Sequence, residues 1–113
     1  MIADDILQGL EEMISKNLPM SAEYWLEKSQ QLLVLQGDET NSLYGLQKKV
    51  AQEKVKWIEQ GKSVAEAKLR VEANDIYEQM LKQKAKVLRI EEFIRIGKIQ
   101  AKMRQEEFKG YSL

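Results

Sequence analysis

Residues 59–66 read EQGKSVAE, and the reading of Gly61-Lys62-Ser63 decides whether the chain cradles a phosphate there or turns between two helices. A phosphate-binding loop of the form G-x-x-x-x-G-K-[ST] needs a glycine five positions before Gly61, so that backbone amides can curl round the phosphates. That position is Lys56, inside the helix-like stretch KVKWIEQ, and no apolar strand leads into it. The letters fit a turn instead. Gly61 follows a helical pattern and suits the left-handed conformation that ends a helix. Ser63 opens the next pattern, and Ser63-x-x-Glu66 has the form of a capping box, in which hydroxyl and carboxylate would satisfy two backbone amides reciprocally.

Working outward, residues 21–60 form a long helix with Ser21 as its cap, and residues 63–108 a second long helix whose only internal glycine is Gly97. At 1.5 Å per residue, about 45 residues would run to about 65 Å. Residues 37–41 (GDETN) read either as a loop capped by Asp38 or Thr40 or as a weak patch in continuous helix. The nearly heptad spacing of Leu32, Leu43, Leu46, Val50 and Trp57 favours continuity, with Gln36, Glu39 and Glu53 as polar interruptions. Residues 1–18 form a short first helix with Ile2, Ile6, Leu10, Met13 and Ile14 on one face. Asp4 and Asp5 complement its dipole, and Pro19 stops it. Residues 109–113 are left as a tail. No stretch alternates as a strand does. The chain is therefore expected to be all-α: one helical domain, a long antiparallel coiled-coil-like hairpin with a short N-terminal helix.

The 113 residues contain no Cys and no His, which removes zinc sites, thiol nucleophiles and imidazole chemistry from consideration. No apolar run approaches the ~20 residues that span a bilayer, and MIADD does not resemble a signal peptide, so a cytoplasmic protein is expected. Zero net charge conceals a split. Residues 1–45 hold eight acidic groups against two basic, a net of −6, and the remainder carries +6. Either acidic and basic segments match internally, or a basic surface is kept for an anionic partner.

Stepping 100° per residue along the last helix separates two apolar stripes. One holds Leu69, Ile76, Met80, Val87, Ile90 and Ile94. The nearly opposite one holds Tyr77, Leu81, Leu88, Ile99 and Met103, with Ile96 at its margin. A hairpin covers only one stripe, so the second is expected to meet the first helix, another subunit, or both; the wet area favours a homo-oligomer. Between the stripes run two basic edges, Lys84, Arg95, Lys98 and Lys102 on one, and Lys82, Lys86, Arg89 and Arg104 on the other. Residues 82–104 carry eight basic side chains against Glu91 and Glu92. That excess suits a phosphate backbone bound by counterion release, while the few aromatics, Tyr77 and Phe93, argue against base-specific readout.

Adjacent carboxylate pairs such as Glu11-Glu12 and Glu91-Glu92 point to different sides of a helix, and the di-iron bundle motif requires the missing histidines. No catalytic activity, cofactor or metal is expected. Residues 61–103 resemble a class of small helical proteins encoded by tailed phages and prophages. The shared pattern is carried here by Gly61, Lys62, Ser63, Ala65, Glu66, Ala67, Ala73 and Tyr77, ahead of a charged, basic helix. The layout is also similar to that of phage recombination mediators, oligomeric helical proteins that help load a recombinase onto single-stranded DNA. The resemblance implies a phage accessory protein that binds single-stranded DNA or a recombinase, with the basic residues of positions 82–104 facing the DNA. The competing expectation is a protein-binding module, an anti-defence inhibitor or a virion scaffold, acting on a host or phage protein through the acidic N-terminal third.

Overall fold

The computed structural model describes the backbone of residues 2–111 and the side chains of residues 2–106; the end of the expected tail lies outside them. Four helices follow in order: α1 (Ile2–Ser15), α2 (Ala22–Glu59), α3 (Val64–Glu72) and α4 (Asp75–Tyr111). No strand occurs among the described residues. α2 packs against α4 as a hairpin, which gives the all-α hairpin expected from sequence. α2 is unbroken through residues 37–41.

The Gly61 turn forms as its sequence indicates. Gly61 has φ 88°, and its amide reaches the Ile58 carbonyl at 3.0 Å while the Lys62 amide reaches Trp57 at 3.0 Å. This is the paired closure of a Schellman motif, in which a left-handed residue lets two amides satisfy the last carbonyls of the helix. Ser63 then caps α3, its Oγ accepting from the Glu66 amide at 3.1 Å. Only that half of the expected capping box forms. The Glu66 carboxylate turns forward to Arg70, accepting from Nε at 3.2 Å and Nη2 at 3.0 Å. Arg70 is held there because its guanidinium lies 4.6 Å from the centroid of the Trp57 ring.

Three boundaries differ from the sequence reading, one of them at the C-terminal end, where the last helix continues past residue 108 to Tyr111 and takes in the start of the expected tail. α1 ends at Ser15, because Asn17 adopts φ 53° and closes a second Schellman motif, Leu18 N–H to Met13 at 2.9 Å and Asn17 N–H to Ile14 at 3.1 Å. Asn17 thus stops the helix before Pro19 is reached. The expected single helix over residues 63–108 is broken at Ala73-Asn74 into α3 and α4. Asn74 Oδ1 accepts from the Ile76 amide at 2.9 Å, so its side chain competes with helix continuation and starts α4, with Asp75 and Glu78 in the favourable first turn.

The chain divides into two compact units, Met1–Gly37 with Leu88–Leu113, and Asp38–Val87, the divisions falling inside α2 and α4. In the first unit α1, the start of α2 and the second half of α4 enclose one core. Leu7 and Leu10 from α1, Trp25 and Leu32 from α2, and Ile90 and Ile94 from α4 are buried. Burial of such side chains stabilises by roughly 2 kcal/mol each. The inward face of α1 is rotated from the one read in sequence. Ala3, Leu7 and Leu10 are its centre, Ile6 and Met13 its margins, and Ile2 and Ile14 are exposed. In the second unit the buried apolar residues are Leu43, Ala67, Val71 and Val87. Leu69, which sequence places on one stripe with Ile76, Val87 and Ile90, is exposed there, because the break at Asn74 puts it on α3 rather than in register with α4.

A candidate interaction face on the last helix

Within the first unit, Ile90, Ile94 and Ala101 fix the inward side of α4, and this decides what its other side presents. Ile96, from the margin of the second stripe, packs against the core. Leu88, Ile99 and Met103 do not; they are 55%, 45% and 49% exposed. α1 therefore does not cover the second apolar stripe, and three large side chains stay in water on one face. Four residues of that face, Leu88, Glu92, Arg95 and Ile99, follow the spacing i, i+4, i+7, i+11, which confines them to about 60° of arc. Of the other expected interface residues, Leu81 in the second unit is also exposed and Tyr77 is half-buried.

The structure sorts the eight basic candidates. In the second unit Lys86 is turned inward, its ammonium 3.2 Å from Glu39 Oε2, with both side chains about nine-tenths buried. Gln83 completes this cluster, donating through Nε2 to the Glu39 carbonyl at 2.8 Å and to its carboxylate at 2.7 Å. A buried lysine held by a carboxylate is unavailable to a phosphate backbone, so Lys86 leaves the candidate nucleic-acid surface. Lys82 pairs with Glu78 one turn back at 3.0 Å, while Lys84 is exposed.

In the first unit Arg89 is paired with Glu11 on α1, and Arg95 with Glu92 within the helix. The Glu92 carboxyl is held below the usual carboxylate range, first by the hydrogen bond from Arg95 and also by its charge, while the Arg95 guanidinium is pushed up by the same partner. Both side chains are exposed, so the pair is screened by solvent. Lys98, Lys102 and Arg104 are exposed. The charge split of the sequence is thus partly an internal match, for Glu11–Arg89 and Glu39–Lys86 each join an acidic residue of the first third to a basic one of α4.

Two features, one in each unit, are not apparent from the sequence. Glu39 appeared only as a polar interruption of a heptad, although such an interruption is where a buried charge with a partner would sit. Gly97 is a contact point in the first unit: a Cβ built there would lie 1.9 Å from Ser29 Oγ and 3.3 Å from the Trp25 carbonyl oxygen. The one signal was that Gly97 is the lone glycine of residues 63–108.

A shallow groove of about 410 Å³ between α1 and α2 is lined by Ile2, Asp5, Ile6, Gln31, Val34 and Leu35, an apolar wall with two polar groups. Among the described residues, no group of three or more carboxylates is arranged to hold a metal ion, and no helix is long and apolar enough to cross a membrane. Compared with protein-family models, with curated proteins and with solved structures, the chain matches none.

Proposed function

We propose that the protein is a non-enzymatic, homo-oligomeric accessory protein, one that works by presenting helical surfaces to a second copy of itself and to a further partner. The observation that carries this reading is the uncovered face of α4, where Leu88, Ile99 and Met103 remain half in water although α1 already packs on the same unit. Covering three such side chains would recover a few kcal/mol at about 25 cal/mol per Å².

The second component of the reading, binding of a single-stranded DNA backbone, is favoured by Lys84, Lys98 and Lys102, which are exposed while Lys82, Lys86, Arg89 and Arg95 are engaged with carboxylates. Its place among phage proteins rests on the resemblance of residues 61–103, and a recombinase as partner on the similarity of layout to phage recombination mediators. Action through the acidic N-terminal third is weakened, since Glu11 and Glu39 are committed internally.

The DNA component is tested by anisotropy with a labelled single-stranded oligonucleotide of about 40 nucleotides at low and moderate salt. Binding at low salt should fall at least tenfold in the variant Lys84→Glu/Lys102→Glu. Its salt slope should shrink by about 1.4, the loss of two single-strand phosphate contacts. Absence of binding at low salt by the unmodified protein contradicts this component and leaves a protein partner.

A further inference from the structure

We infer that the partner seated on the exposed face of α4 is a second copy of the same helix, antiparallel, in a register that sets Leu88 against Ile99 and Glu92 against Arg95 of the other subunit. The inference rests on the self-association reading above and specifies its geometry.

It follows from the order of four side chains. Along the face run an apolar residue, an acid, a base and an apolar residue: Leu88, Glu92, Arg95 and Ile99. All four are exposed and lie on one side of α4 within the first unit. Turned end for end about a point between Ile94 and Phe93, the pattern becomes its own complement. Leu88 then meets Ile99, Glu92 meets Arg95, and each contact occurs twice, as a two-fold interface requires. The 4-3-4 spacing is that of a and d positions, where an antiparallel pair sets a against d of its partner.

A parallel pair in the same register brings Glu92 onto Glu92 and Arg95 onto Arg95. Like charges at the centre of a small apolar seam are costly, so the charge order selects orientation by repulsion as well as by attraction. The flank agrees. Glu91 and Lys98 are both exposed along one edge of the seam. A two-fold axis perpendicular to the helix pair sets each edge against itself, so Glu91 of one copy would lie near Lys98 of the other. On the opposite edge Arg89 is already held by Glu11, and its charge is answered within the subunit. Inside one chain Glu92 and Arg95 form only an exposed pair three residues apart, which contributes little and loses little on exchange.

The chain has no cysteine, so introduced thiols report the register without background. Leu88→Cys and Ile99→Cys alter exposed positions and leave the core intact. Mixed and mildly oxidised, the two variants should give a disulfide-linked heterodimer. Each alone should stay largely unlinked, because in the antiparallel register two copies of position 88 lie roughly 16 Å apart along the helices, too far for a disulfide. Glu92→Arg and Arg95→Glu should each weaken self-association at least tenfold, and mixing them one to one should restore it, since all four cross-pairs are then opposite in charge.

Efficient self-linking of Leu88→Cys would show parallel helices and overturn the inference. An oligomer by light scattering with no linkage in either the single variants or the mixture would place the contact elsewhere, overturning the register while leaving the self-association reading intact. A monomer by light scattering would remove that reading itself.

Discussion

Glu39→Ala is expected to lower the free energy of unfolding by about 3 kcal/mol, measured by urea denaturation, although Glu39 belongs to no apolar core. The carboxylate is 8% exposed as a residue and answers two groups at once, the Lys86 ammonium at 3.2 Å and the Gln83 amide at 2.7 Å. Truncation takes the Glu39 carboxylate away from an ammonium about nine-tenths buried, and it is the cost of keeping that charge out of water, rather than the lost attraction, that sets the loss. The double variant Glu39→Leu/Lys86→Leu should therefore be much nearer to wild type than either single truncation. A loss under about 1 kcal/mol for Glu39→Ala, the range of solvated surface pairs, would show that the cluster is open to water.

Gly97→Val is expected to cost about 3 kcal/mol, at the upper end of what overpacking a close contact does, lowering the melting temperature by roughly 12 °C. Valine places its first carbon against Ser29 Oγ at 1.9 Å and against the Trp25 carbonyl oxygen at 3.3 Å. The hydroxyl is free to rotate away, but the carbonyl belongs to the backbone of α2 and moves only with the helix. Gly97→Ala separates these effects. Alanine favours helix over glycine by about 1 kcal/mol, which offsets part of the clash. Adding Ser29→Ala removes the clashing hydroxyl, which is buried without a hydrogen-bond partner. The pair Ser29→Ala/Gly97→Ala should then be at least as stable as wild type. An undiminished Gly97→Val melting temperature would mean that α2 and α4 are not in this contact.

Why some of this was legible in sequence and some was not comes down to range. The turn at Gly61 could be read because its causes lie within a few residues: a glycine able to take φ 88° and a serine three positions before the amide it caps. Asn74 works over the same range, yet the helical periodicity on either side of it masked a cap that EANDIYE carries in its letters. Asn17 is hidden in the same way, because Pro19 offers a sufficient stop two residues later. The rotation of α1 is different. Ile2, Ile6 and Ile14 form as plausible an apolar stripe as Ala3, Leu7 and Leu10, and only the helices packed beside α1 choose between them.

The candidate face was partly legible on the same terms. Periodicity located Leu88, Ile99 and Met103 on the side of α4 away from its core, and they are exposed there. Periodicity says nothing about which lysines face inward, so in sequence Lys86 falls on one edge with Lys82, Arg89 and Arg104. Its partner Glu39 is 47 residues distant in the chain, and no local pattern joins them. The −6/+6 division of charge did announce such pairs, without naming them.

The most direct test is the mass of the full chain in solution, followed by light scattering or sedimentation across protein concentrations from about 1 to 100 μM, for the wild type and for Leu88→Asp/Ile99→Asp. If the exposed face of α4 is covered by a second copy, the wild type should move to twice the 13.1 kDa chain mass or a multiple of it. The doubly charged variant should then remain a folded monomer. A wild-type protein that stays at the chain mass throughout would contradict the account, and would leave Leu88, Ile99 and Met103 as solvent-facing residues of a single chain.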